Sequence, residues 1–219
     1  TKRLLMLIRM ASPSIELVVF DLYETLVDHH REGPSPFFRL FDDLRFNLEE
    51  AKEAYHIALT ENFDGLASFL RKIKPQARTQ FPLHDYENAI AQEVASTTPY
   101  PETRAVLEEL RNQGLVLGMI SNAGTAYKKP FFALDLDQYF DQVIFSCDVG
   151  LQKPDKRIYE LLLRSAGVAP PQALMIGDRL DRDVYPPRAI GMQAVLLDRN
   201  NTSDFSPKIA TLEGIFAYL

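Results

Sequence analysis

Residues 15–27 read Ile-Glu-Leu-Val-Val-Phe-Asp-Leu-Tyr-Glu-Thr-Leu-Val, an apolar run interrupted at its middle by Asp21. A run this rich in Val and other apolar residues fits a strand covered on both faces, as in a parallel sheet. Asp21 is then the first residue outside the strand. In open α/β sheets, ligands bind in the crevice beyond the carboxyl ends of the strands. An aspartate there is a candidate nucleophile, and the capping of the next turn is the alternative. Four further apolar runs follow at residues 115–120, 142–146, 173–177 and 193–197. The first of these ends in Ser121-Asn122 and the third in Asp178.

Between the first two runs the period changes to that of a helix. Phe37, Phe38, Leu40, Phe41 and Leu44 share one stripe, as do Ala51, Ala54, Tyr55, Ala58 and Leu59. Phe63, Leu66, Phe69 and Leu70 make a third stripe, and Tyr86, Ala89, Ile90 and Val94 a fourth. The pattern predicts a four-helix insertion. Residues 102–111 predict an amphipathic helix that stops near Gly114. Another starts around Pro154, which suits a first helical turn, and ends at Gly167. A last helix ends across residues 188–191, and the tail to Leu219 carries no readable motif.

Composition narrows the function classes. The 219 residues are 46% hydrophobic, ample for an ordinary core in one or two domains. A net charge of −6 argues against a general nucleic-acid surface and leaves room for a local basic pocket that holds an anion. Cys147, the single cysteine, rules out an internal disulfide framework and fits a reducing cytoplasm. With no base near it in sequence, it reads as a small packed side chain. Lys2-Arg3 followed by Leu4 to Ile8 reads as an amino-terminal extension, and no stretch is long enough to span a membrane. His29 and His30 sit in a linker with Gly33, Pro34 and Pro36. Solvated loop histidines and a metal site are the two readings of that pair.

The residues at the strand ends resemble the four motifs of the haloacid dehalogenase (HAD) superfamily, in order. Asp21 with Thr25 and Leu26 is similar to the first, and Ser121 after its strand to the second. Lys153, Pro154-Asp155 and the following Arg157-Ile158-Tyr159-Glu160 resemble the third. Gly177-Asp178 with Asp183 five residues on resembles the fourth. The resemblance implies an α/β fold, a doubly wound parallel sheet with Asp21 at its centre. It also implies a core domain of residues 1–32 and 98–219 and a helical cap at 33–97, inserted after the first motif and closing over the crevice. A cap arginine that binds a carboxylate in haloacid dehalogenases has Arg39, Arg45 and Arg71 as its candidates here.

The same resemblance assigns Asp21 as nucleophile, with Lys153, Ser121 and Thr25 completing the catalytic set. An aspartate nucleophile and an anionic substrate place like charges together, so a cation is needed between them. Asn122 and Tyr23 are the substrate-binding candidates, although Asn122 capping a turn is equally readable. Acids at the lip of a sheet repel one another when empty, and a divalent cation compensates them. Mg²⁺, which prefers oxygen ligands and takes few carboxylates, would be held by Asp21, Asp178, the Tyr23 carbonyl and, through a water, Asp183.

The motifs pull in two directions. Most phosphatases of the superfamily carry a second Asp where this chain has Tyr23, and Asp-Leu-Tyr followed by Thr-Leu is similar to the L-2-haloacid dehalogenases, with Glu24 replacing a Gly. The fourth motif is of the magnesium phosphotransferase kind. The expectation is therefore a Mg²⁺-dependent hydrolase of a small anionic phosphorylated metabolite, acting through an aspartyl-phosphate as a monomer or homodimer. A metal-independent 2-haloacid dehalogenase and a HAD-fold binding module are the alternatives.

Overall fold

The computed structural model describes residues 14–30, 33–76 and 82–219, so the expected extension at residues 2–8 lies outside the described residues. The first strand, β1 (Leu17–Phe20), is buried along its whole length. Its side chains alternate, with Val18 and Phe20 in one apolar cluster and Leu17 and Val19 in another. Each such side chain removed from water contributes roughly 1.5–3 kcal/mol, so a strand apolar on both sides is driven to the middle of the sheet.

A short ribbon strand, β2 (Val27–Asp28), leads to four helices: α1 (Pro36–Asp43), α2 (Leu48–Thr60), α3 (Gly65–Ile73) and α4 (Leu83–Ser96). Two of their starts are set by sequence. Ser35 caps α1 with Pro36 next to it, and Asn47 and Glu50 form a reciprocal capping box on α2. The helices bury Leu40, Phe41, Ala58, Phe69, Leu70 and Ile90 in a cluster of their own, against which Ala126 and Tyr127 also pack. The chain returns through β3 (Thr98–Pro99), which pairs antiparallel with β2. Thr103 Oγ1 donates to the Leu26 carbonyl at 2.7 Å, pinning the same crossing.

Beyond it come α5 (Thr103–Asn112), β4 (Val116–Ser121), α6 (Lys129–Ala133), β5 (Gln142–Phe145), α7 (Ser146–Val149) and α8 (Lys156–Ala166). The chain then adds β6 (Ala173–Gly177), α9 (Tyr185–Ala189), β7 (Gln193–Leu197) and β8 (Lys208–Ile209). The sheet order is β5-β4-β1-β6-β7-β8, and every pair is parallel. Strand order reverses at β1, with β4 on one side and β6 on the other. That switch point leaves a crevice at the carboxyl ends of these three strands, where Asp21, Ser121 and Asp178 lie.

One local expectation is corrected. Pro154 is not in the first turn of α8, because Asp155 takes the N-cap and accepts from the Arg157 N–H, so the helix starts at Lys156, two residues beyond Pro154. The tail forms β8 and a 3₁₀ turn over Leu212–Tyr218 that buries Leu212 and Ile215. A two-residue strand is too short to show a period, and only the partner β7 defines it.

Candidate active site

Asp21 leaves β1 with its backbone N–H still bonded to the Ile176 carbonyl of β6, which fixes where its side chain begins. A tight turn follows. The Leu26 and Val27 N–H groups both donate to the Leu22 carbonyl, and Glu24 takes a left-handed φ of 57°. Asp21 Oδ1 accepts from the Leu22 N–H at 2.7 Å and lies 3.0 Å from Lys153 Nζ. Lys153 also donates to Asp183 Oδ1 at 2.6 Å. Its side chain is 1% exposed, so the ammonium is buried between two carboxylates.

Burial opposes charge on Lys153, but Asp183 and Asp21 outweigh it and hold the ammonium above its usual range. Burial pushes the Asp183 carboxyl up, against the pull of Lys153. The other Asp183 oxygen accepts from the Arg179 N–H at 3.1 Å. Asp178 is different. Burial, followed by the negative Asp21 and Asp183, pushes its carboxyl up to about 7. One oxygen from each of Asp21, Asp178 and Asp183 lies within 4.8 Å of the others. Three hard donors this close, one of them raised by the other two, form a set that fits Mg²⁺.

Local structure accounts for the Gly-Asp pair. A Cβ on Gly177 would lie 2.4 Å from Asp183 Cγ, so only glycine lets the aspartate fold back over the strand end. Asp183 itself sits in a π-helical turn, Leu180–Val184, whose Arg182 carbonyl accepts from the buried Tyr159 hydroxyl. Wider turns of this kind are frequent at functional sites. Arg179 and Arg182, which could have neutralised Asp183, pair instead with the exposed Asp181.

The remaining expected residues divide. Ser121 ends β4 at 1% exposure, beside the crevice. Thr25 is wholly buried, its Oγ1 has no hydrogen-bond partner, and its carbonyl accepts from Arg199. Asn122 joins the Lys153 loop to the end of β4. Its Nδ2 donates to the Lys153 carbonyl and its Oδ1 accepts from the Lys153 N–H, both at 2.8 Å. This two-way bond positions the Lys153 loop against the end of β4, a role no local spacing announces. The Tyr23 hydroxyl donates to the Tyr127 carbonyl at 2.7 Å, so its ring forms part of the wall beneath the helical insertion.

Sequence reasoning missed that wall. Tyr23 meets His29 and Tyr127 edge-on, and the Tyr127 hydroxyl donates to the buried Glu93 at 2.7 Å. His29 Nδ1 lies 2.8 Å from Glu24 Oε1 but is poorly aligned for a hydrogen bond. Glu24, Asp28 and His29 can bring one ligand atom each together, and the His29 ring also packs edge-on against Tyr23. Arg39, Arg45 and Arg71 are all exposed. Cys147 is buried, and burial pushes its thiol up, as suits packing. Among the described residues no helix is long and apolar enough to cross a membrane.

With this geometry in place, the relatives can be compared. A family model described as haloacid dehalogenase-like hydrolase matches residues 15–191. A phosphoserine phosphatase of Thermus thermophilus is 38% identical over 101 residues, 46% of this chain and 41% of that protein. The chain spans about half the length of the curated relatives it matches first. A HAD phosphatase from Thermococcus onnurineus superposes with a TM-score of 0.65 at 25% identity, over 93% of this chain and 97% of that one. A 2-haloacid dehalogenase from Pseudomonas syringae superposes with a TM-score of 0.64 at 20% identity, over 93% and 99%, a likeness of fold alone.

Proposed function

The chain belongs to the haloacid dehalogenase-like hydrolases, and from that premise we propose that it is a Mg²⁺-dependent phosphohydrolase using Asp21 as nucleophile. The observation that carries this reading is the buried Lys153 ammonium bridging Asp21 and Asp183, with Asp178 close by. Lys153 neutralises one carboxylate and so permits an anionic phosphoryl group to approach another. A free Asp21 oxygen attacks phosphorus, and the bond to the leaving oxygen breaks with its electron pair. Water then cleaves the aspartyl-phosphate to inorganic phosphate and restores the carboxylate. Ser121 at the end of β4 is placed to donate to a phosphoryl oxygen.

Asp21, Asp178 and the Tyr23 carbonyl would hold Mg²⁺, with Asp183 supporting a bound water, and the ion would supply positive charge against the phosphoryl oxygens. Asp183 keeps its place through Lys153 and the Arg179 N–H. The pattern of curated relatives supports phosphate chemistry. The dehalogenase alternative requires a cation for the substrate's carboxylate, and the described cap arginines point to solvent.

The test is phosphate release from 4-nitrophenyl phosphate with Mg²⁺, together with intact-mass detection of a phosphorylated enzyme. Asp21→Asn is expected to abolish both while leaving the fold unchanged, because an amide neither attacks nor accepts the phosphoryl group. Activity within tenfold of wild type in Asp21→Asn, with deamidation excluded, removes the nucleophile assignment.

A further inference from the structure

Resting on the phosphohydrolase reading, we infer that the leaving group is a single uncharged aromatic ring, so that the substrate is an aryl phosphate. Beside the strand ends lies a cavity of about 170 Å³. On the core side it is lined by Tyr23, two residues beyond Asp21, by Asn122, which follows Ser121, and by Tyr127. On the opposite side the insertion contributes Phe37, Tyr55 and Leu59. An apolar cavity of roughly 150 Å³ accommodates benzene, so the volume suits one six-membered ring.

The walls set the chemistry. Tyr23, Phe37 and Tyr127 already pack on one another with centroids about 6 Å apart, 6.1 Å for Tyr23–Tyr127 and 6.2 Å for Phe37–Tyr127. They offer faces and edges at which another ring gains contact. Among the described lining residues there is no lysine or arginine, and the one histidine, His29, stands against the carboxylates of Glu24 and Glu93. A substrate carrying a carboxylate or a second phosphate on its leaving portion would bury that charge without a counter-ion.

Proton supply points the same way. Where most phosphatases of this superfamily have an acidic residue, this chain has Tyr23, and its hydroxyl is committed to the Tyr127 carbonyl. A leaving alkoxide needs a positioned acid, but a phenolate does not, because the ring delocalises the charge. When Asp21 attacks phosphorus, the P–O electron pair leaves on the phenolic oxygen, which takes its proton from solvent. The aromatic wall and the missing acid select the same class of compound.

The experiment compares kcat/KM of the Mg²⁺-loaded enzyme for phenyl, 3-carboxyphenyl and ethyl phosphates, with 4-nitrophenyl phosphate as the reference ester. Phenyl phosphate is expected to exceed 3-carboxyphenyl phosphate by ~10²-fold, as burial of an unpaired carboxylate demands. The two rings leave with similar ease, so the difference reports the cavity. Tyr55→Lys adds a cation to the wall and is expected to narrow that ratio by at least ~10-fold. If 3-carboxyphenyl or ethyl phosphate equals phenyl phosphate, the inference fails and the phosphohydrolase reading stands. If not even 4-nitrophenyl phosphate releases phosphate, both fail. Should Tyr55→Lys fold poorly, the wild-type ratios decide alone.

Discussion

Lys153 is expected to serve both stability and chemistry. It is 1% exposed and bonded to Asp183, which is fully buried. Lys153→Ala leaves that carboxylate without its counter-ion, which should cost roughly 3–5 kcal/mol at neutral pH. Chemical denaturation should show the loss, and it should shrink as pH falls and Asp183 takes a proton. Turnover should fall by at least ~10²-fold under conditions where the variant is folded. Unchanged kcat and KM would make Lys153 a purely structural residue. Asp178 gives the opposite sign of pH dependence from an ordinary salt-bridged aspartate. Its carboxyl is raised from the ordinary aspartate value of 3.8 to about 7, so between those values the native state binds the proton more tightly than the unfolded chain. Its contribution is therefore fully present at acid pH and is lost as pH rises through about 7. Melting temperatures measured in chelator should decline across that window, and Asp178→Asn should flatten the decline.

At the scale of elements, α2 meets the loop after β4 at close quarters. Gly124 lets the two backbones touch, since a Cβ there would stand 2.7 Å from the Ala58 carbonyl oxygen. Asn62, just beyond α2, donates to the Cys147 carbonyl at 3.2 Å and to Asp148 at 2.8 Å, and accepts from Thr125 at 3.1 Å. These polar bonds fix the same contact from its other end. Gly124→Val meets backbone, which cannot rotate away, so α2 must shift. Activity should fall by ~10- to 10²-fold, as misplacement of a crevice wall implies. Hydrogen exchange should quicken in α2 and stay unchanged in β1 and β6. Unaltered exchange in α2 would show that the contact is not a constraint.

For the whole molecule, the decisive arrangement is three chain segments of distant sequence, each supplying a carboxylate or its cation, gathered at the carboxyl ends of the central strands. Asp21, Lys153 and Asp178 have 131 intervening residues between the first and second alone, as their numbers show. Mg²⁺ bound to the gathered acids would stabilise only the folded state, so the melting temperature should rise with added Mg²⁺ by mass action. Asp178→Ala should remove that rise. Calorimetry that detects no Mg²⁺ binding at millimolar concentration, combined with haloacid turnover in chelator, would replace the phosphohydrolase by the dehalogenase.

The sequence by itself determined the parallel sheet, the helical insertion and the order of the four motifs. Each is a local signal: an apolar run such as residues 17–20, a helical stripe such as Leu40 to Leu44, or a glycine-aspartate pair at a strand end. Asp21, Lys153, Asp178 and Asp183 were legible as a set through their resemblance to the four motifs of the superfamily, before any distance was known. Only the tertiary structure decided what the local chemistry of the others is spent on. Asn122 could equally face a ligand or a loop, and it bonds the Lys153 backbone. Tyr23 could equally shape a pocket or fill space, and its hydroxyl bonds Tyr127, which is 104 residues away. Strand β8 had no period to read, and it exists because β7 offers an open edge. A hydrogen-bond donor or a short strand takes its meaning from its partner, and partners distant in sequence are brought together only by the burial of the core.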